Sequence, residues 1–150
     1  MIKLDHVGIV VSDLEKGIKI FSETFGHKPR GPKRVYEIKE PGVNIKYALL
    51  GLGDTAIDLM EPGEGDRSFL PFITEEGKGA IMEICFEVDD IEAFYDRMKE
   101  KGITLLDWPN GNPLVDQKYV LAPSGNKIAY LPCDTTLGLW VEVTEKAWHY

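Results

Sequence analysis

Apolar positions change their period twice along the chain, each time from two to about three and a half. In "LDHVGIVV", residues 4–11, Val7, Ile9 and Val11 alternate with Leu4, His6, Gly8 and Val10, the pattern of a strand whose side chains point to opposite faces. Leu14, Ile18, Phe21 and Phe25 then recur every three or four residues, which is one face of a helix. The same change returns at "IMEICFEVD", residues 81–89, followed by Ile91, Phe94, Tyr95 and Met98. Ser12 with Glu15, and Asp89 with Glu92, have capping-box spacing and predict where the two helices start. Gly26 and Gly102 predict where they stop.

Strand patterns separated by turn residues follow each helix. In the first half they are "RVYEIKE", "NIKYALLGLG" and "TAIDLMEP"; in the second, "ITLLDWP", "QKYVLAP", "KIAYLPC" and "GLWVEVTE". "PGVN", "GLGD", "NGNP" and "PSGN" supply the turns. When the two halves are superposed, His6 meets Glu83, Asp13 meets Asp90, Leu14 meets Ile91 and Glu15 meets Glu92. The expected organisation is a βαβββ module over residues 1–61, a Gly- and Pro-rich linker over 62–79 with a short helical turn near "RSFLPFI", and a second βαβββ module over 80–150. The expected class is α+β, with the two tandem modules forming a cupped mixed sheet and the helices on its outer face.

Period-two alternation then sorts the polar strand residues. Met82, Ile84, Phe86 and Val88 oppose Ile81, Glu83, Cys85 and Glu87. Ile57 and Leu59 oppose Ala56, Asp58 and Met60, while Leu139, Val141 and Val143 oppose Gly138, Trp140, Glu142 and Thr144. The aliphatic faces belong under the helices, so His6, Asp58, Glu83 and Glu142 fall on faces turned away from them. Should those faces converge, three carboxylates and an imidazole require a neutralising cation. One nitrogen and three oxygens suit a divalent ion such as Mn, Fe, Co, Ni or Mg better than a structural zinc.

Composition excludes several other functions. The 150 residues are 43% hydrophobic, enough for a buried core. No apolar run reaches membrane-spanning length, and the first residues lack the pattern of an export signal, so a cytoplasmic protein is expected. Cys85 and Cys133 form neither a CxxC pair nor a disulfide framework. With 25 acidic against 17 basic residues the net charge is -8, which disfavours a nucleic-acid partner. "HKPRGPKR", residues 27–34, is the one cationic cluster, either a solvated loop or a contact for an anionic substrate.

The paired modules, the opening "LDHVGIVVSDLEKG", the second start "EICFEVDDIEAFYDRMKEKG" and the ending "GLWVEV" resemble the vicinal oxygen chelate superfamily over about residues 3–145. This group includes glyoxalase I, methylmalonyl-CoA epimerase, extradiol dioxygenases and bleomycin-resistance proteins, and the resemblance is closest to its epimerase and glyoxalase branch. It implies metal ligands at His6, Asp58, Glu83 and Glu142, with Glu83 standing where such epimerases carry histidine. It further implies a divalent metal cofactor (Mn, Co, Ni, Fe, Zn or Mg) and proton transfer next to a chelated carbonyl of a small-molecule carbonyl or acyl substrate. The activity would be that of an isomerase, epimerase or lyase, with Glu142 as base and Glu83 as a second acid/base on the opposite wall.

Trp140, Tyr47, Tyr119 and Lys127 are candidate substrate contacts, with Phe69, Trp108 and Lys118 as further possibilities. Relatives of this size are expected to dimerise. The competing readings are a metal-free small-molecule binding or resistance protein and a dioxygenase. The last is disfavoured because dioxygenases of this group use two histidines and a carboxylate, and only His6 is suitably placed.

Overall fold

The computed structural model describes residues 1–31, 33–67 and 79–145. In chain order its elements are β1 (Ile2–Val10), α1 (Leu14–Phe25), β2 (Tyr36–Glu40), β3 (Val43–Leu52), β4 (Thr55–Pro62), β5 (Ala80–Val88), α2 (Ile91–Glu100), β6 (Val120–Leu121), β7 (Lys127–Leu131) and β8 (Trp140–Glu145). A short 3-10 turn at Cys133–Thr135 precedes β8. The βαβββ order therefore occurs twice. The eight strands form a mixed sheet, hydrogen-bonded in the order β2-β3-β4-β1-β5-β8-β7-β6. The α+β class is the one expected. "RSFLPFI" falls largely outside the described residues.

Two compact units divide the chain: His6–Met82, and Met1–Asp5 with the described residues from Glu83 onward. In the first, α1 sets Leu14 and Ile18 against Ala48 and Leu50 of β3 and Leu59 of β4, with Ile9, Val11, Phe21 and Ile57 at the margin. Gly17 permits this close approach, because a Cβ there would lie 3.1 Å from Leu59 Cδ1. In the second, Ile91, Phe94 and Tyr95 of α2 pack with Val88, Leu105, Leu114, Ala129 and Val143. The α1 stripe thus covers Ile9, Val11, Ile57 and Leu59 of the aliphatic faces assigned to it from the sequence, whereas α2 covers only Val88 and Val143 of its own, and Leu139 is exposed.

The helix starts differ from the capping-box reading. The N-caps are Asp13 and Asp90, one residue later than expected in each module, and their carboxylates accept the Lys16 and Ala93 amides at 2.9 Å. Their extended backbone brings a short side chain back to the amide three residues on, which takes over the role assigned to Ser12 and Asp89. Glu15 instead pairs with Arg34 at 2.8 Å.

A second cap, not read from the sequence, comes from the last strand of each module. Glu61 accepts the Leu14 amide at 2.5 Å, and Glu145 accepts the Ile91 amide at 3.1 Å. Negative charge is thus placed at both helix N-termini, where unpaired amides favour it. The helices end as expected, with left-handed glycines at Gly26 (φ 70°) and Gly102 (φ 73°).

"ITLLDWP" is not a strand. Leu106 instead makes isolated bridges to Pro113 and to Tyr130, its amide and carbonyl exchanging bonds of 2.8 and 3.0 Å with Tyr130. The chain then turns back at once, the Asp107 amide meeting the Asn112 carbonyl at 2.8 Å, so no ladder develops. "QKYVLAP" likewise contracts to Val120–Leu121. No described helix is long and apolar enough to cross a membrane.

Candidate active site

Glu83 and Glu142 lie on neighbouring parallel strands. The register pairs Cys85 with Glu142 and Glu83 with Trp140, so all four side chains share one face of β5 and β8. Both carboxylates are buried, at 4% and 8% exposure, and an oxygen of one lies within 4.8 Å of an oxygen of the other. Glu83 therefore stands beside Glu142, not on an opposing wall, because same-parity residues of adjacent strands point the same way.

Antiparallel β7 sets Tyr130 directly across from Glu142. The buried Tyr130 hydroxyl donates a short hydrogen bond to Glu142 Oε2 and lies 3.3 Å from Glu83 Oε2. Glu142 Oε1 accepts the Cys85 thiol at 3.4 Å. Trp140 meets the Tyr130 ring edge-on, with centroids 5.7 Å apart. Burial pushes the Tyr130 phenol well above its ordinary pKa, and the charges of Glu142 and Glu83 add to the effect, so the ring stays a neutral donor. The sequence reading missed Tyr130. Alternation along "KIAYLPC" separates it from Ala129, but its partner across the sheet is a matter of strand pairing.

The other unit places His6 and Asp58 on one face of β1 and β4. The parallel register sets Gly8 against Asp58, leaving His6 one step further along the same face. Both are buried, at 5% and 7% exposure. Tyr47 shares this side through its pairing with Met60, and its ring stacks on Tyr36 at 5.1 Å.

Residues 5–119 match the glyoxalase/bleomycin resistance protein/dioxygenase superfamily. The chain belongs to this superfamily. It is similar to the ethylmalonyl-CoA/methylmalonyl-CoA epimerase of Cereibacter sphaeroides, 35% identical over 69% of this chain and 74% of the relative. It is 30% identical to the mitochondrial methylmalonyl-CoA epimerase of Bos taurus over 69% of this chain, spanning only 57% of that relative's length. The solved methylmalonyl-CoA epimerase of Mycobacterium tuberculosis superposes with a TM-score of 0.72 at 26% identity, over 96% of this chain and 87% of that one.

Epimerases of the superfamily generally use a divalent metal, and the donors found here fit one. Two buried carboxylates within 4.8 Å of each other offer hard oxygen ligands, and a cation relieves their mutual repulsion. In the same unit Asp5 and Cys85 also bring ligand atoms within 4.8 Å of each other, although a buried thiol and a single carboxylate are a poorer match for a hard ion.

Lys127, Tyr119 and Lys118 lie on the α2 side. Ala129 of β7 belongs to the core under α2, so Lys127 shares that side, opposite to Tyr130. Its ammonium pairs with Glu145 at 3.1 Å and lies 4.9 Å from the Tyr119 ring centroid, and Tyr119 packs on the same core. Lys118 pairs with Asp96 at 2.7 Å, and that bond raises its pKa. In the cationic cluster Arg34 is bound to Glu15, and Lys33 lies 5.9 Å from the centroid of the Tyr36 ring. Trp108 lies in the loop following Leu106, and Phe69 is outside the described residues.

Proposed function

We propose that the chain is a metal-dependent epimerase of a malonyl-type acyl thioester, moving the proton on the carbon next to the thioester carbonyl. The buried pair Glu83 and Glu142 carries this reading, because two adjacent carboxylates can both hold a cation and exchange a proton. A divalent ion bound there supplies Lewis-acid polarisation of the carbonyl, which acidifies the neighbouring C–H.

Glu142 takes the proton, and the C–H electron pair moves onto the carbonyl oxygen as an enolate. Glu83 is the second proton carrier. Its place beside Glu142, on the same face of β5 and β8, puts it within reach of the same reaction centre. Trp140, on the same face as the pair and with its ring against Tyr130, is the proposed apolar contact. The family relatives support the acyl-CoA substrate class. The reading includes a homodimer, supported by exposed Ile2 and Leu4 on β1, and sedimentation velocity checks that part.

The test uses methylmalonyl-CoA of one configuration in D2O, with protein loaded in turn with Mn2+, Co2+, Ni2+, Zn2+ or Mg2+. Deuterium at C2 together with racemisation is expected, and Glu142→Gln should slow both by roughly a hundredfold or more. Absence of exchange with every metal overturns the reading.

A further inference from the structure

Two carboxylates brought together in a buried site need their orientations fixed, and one hydroxyl is placed to do so. Tyr130 is buried at 4% exposure and faces Glu142 across the β7–β8 ladder. Its hydroxyl donates to Glu142 Oε2 and sits 3.3 Å from Glu83 Oε2. A phenol has one proton to donate, so between two acceptor-only carboxylates it favours one of them, here Glu142.

The position of the ring is fixed from both sides. On one flank its residue pairs with Glu142 in the sheet; on the other, its amide and carbonyl bond to Leu106 at 3.0 and 2.8 Å. Trp140 closes the ring edge at 5.7 Å. Clamped backbone and packed ring leave the hydroxyl little freedom to follow a moving carboxylate.

We infer that Tyr130 is a positioning residue of this centre, holding Glu142 by Oε2 so that Oε1 is the oxygen turned toward a bound cation. The inference rests on the epimerase reading above. Oε1 meets a thiol, Cys85 Sγ at 3.4 Å, and a thiol is a weak donor that a cation readily displaces. The phenol contact is the stronger, being an O–H bond to a carboxylate. Partners that orient a metal-binding carboxylate typically matter by tenfold to a hundredfold in metal affinity.

Co2+ is the probe, with affinity measured by calorimetry, its ligand-field spectrum recorded, and kcat and KM measured on methylmalonyl-CoA. Tyr130→Phe is expected to weaken Co2+ binding by about tenfold or more, alter the visible bands, and lower kcat with KM little changed. Tyr95→Phe is the control, since it removes a buried phenol of the same unit that donates to the Leu114 carbonyl at 2.8 Å. It should leave Co2+ affinity and spectrum unchanged.

Tyr130→Gln, which keeps a donor in a smaller side chain, should bind Co2+ more tightly than the Phe variant. Wild-type affinity, spectrum and kcat in Tyr130→Phe overturn the inference. Equal losses in Tyr95→Phe, or a Gln variant no better than Phe, also overturn it by showing general loosening. A Phe variant that does not fold leaves the decision to Gln against wild type, where an unaltered Co2+ spectrum is the overturning result. A wild-type protein that neither binds Co2+ nor exchanges deuterium is a different failure, because it removes the epimerase reading itself and the inference with it.

Discussion

At the scale of single residues, Glu83 is the most informative position. The resemblance read from the sequence implies histidine at this position, and the chain has a carboxylate there, an anion in place of a neutral nitrogen. Wild-type protein purified without chelator should retain one divalent ion per chain and Glu83→Ala should lose it; elemental analysis of the two in parallel checks both. Glu83→His should move metal preference toward Co2+ and Zn2+ and away from Mn2+ and Mg2+, because imidazole suits the former pair. Competition calorimetry is the measurement, and an unchanged order of preference contradicts a ligand role for Glu83. The residue was legible in the sequence as a polar side chain on a non-helical face. Its neighbour Tyr130 was not, because the bond that makes it matter crosses between strands.

At the scale of elements, the two modules repeat a device. Each helix start is capped twice, by its own Asp13 or Asp90 and by Glu61 or Glu145 from the last strand of its module. In each module that glutamate lies three residues beyond Asp58 or Glu142, and alternation turns it to the helix side. Asp13→Ala, Glu61→Ala and Glu145→Ala should each cost about 1 kcal/mol in urea unfolding, while Ser12→Ala should cost much less. The sequence reading found the helices and their stops but put each start one residue early. Ser12 and Asp89 fit the capping-box spacing as written, and only the extended backbone at Asp13 and Asp90 decides which side chain reaches the amide.

For the whole molecule, the buried carboxylates should tie stability to metal. Adding Mn2+ at about a hundred times its Kd should raise stability by roughly 2.7 kcal/mol through mass action, with a higher Tm that chelator reverses. In Glu83→Ala the Tm should respond much less to Mn2+. A Tm of the wild type that is indifferent to every divalent ion contradicts metal at this centre.

The sequence alone determined the repeat, the two amphipathic helices, the mixed α+β architecture and the faces on which His6, Asp58, Glu83 and Glu142 lie. All of these follow from the periods of apolar residues, which act locally. The tertiary structure decided what sequence periodicity does not encode, namely which strand lies beside which and in what register. Strand pairing turned "ITLLDWP" into a pair of bridges, gave Lys127 and Tyr119 to the α2 side, and placed Glu83 beside Glu142 with the Tyr130 hydroxyl between them. A strand's alternation gives a side chain its face, but only the neighbouring strand gives it a partner.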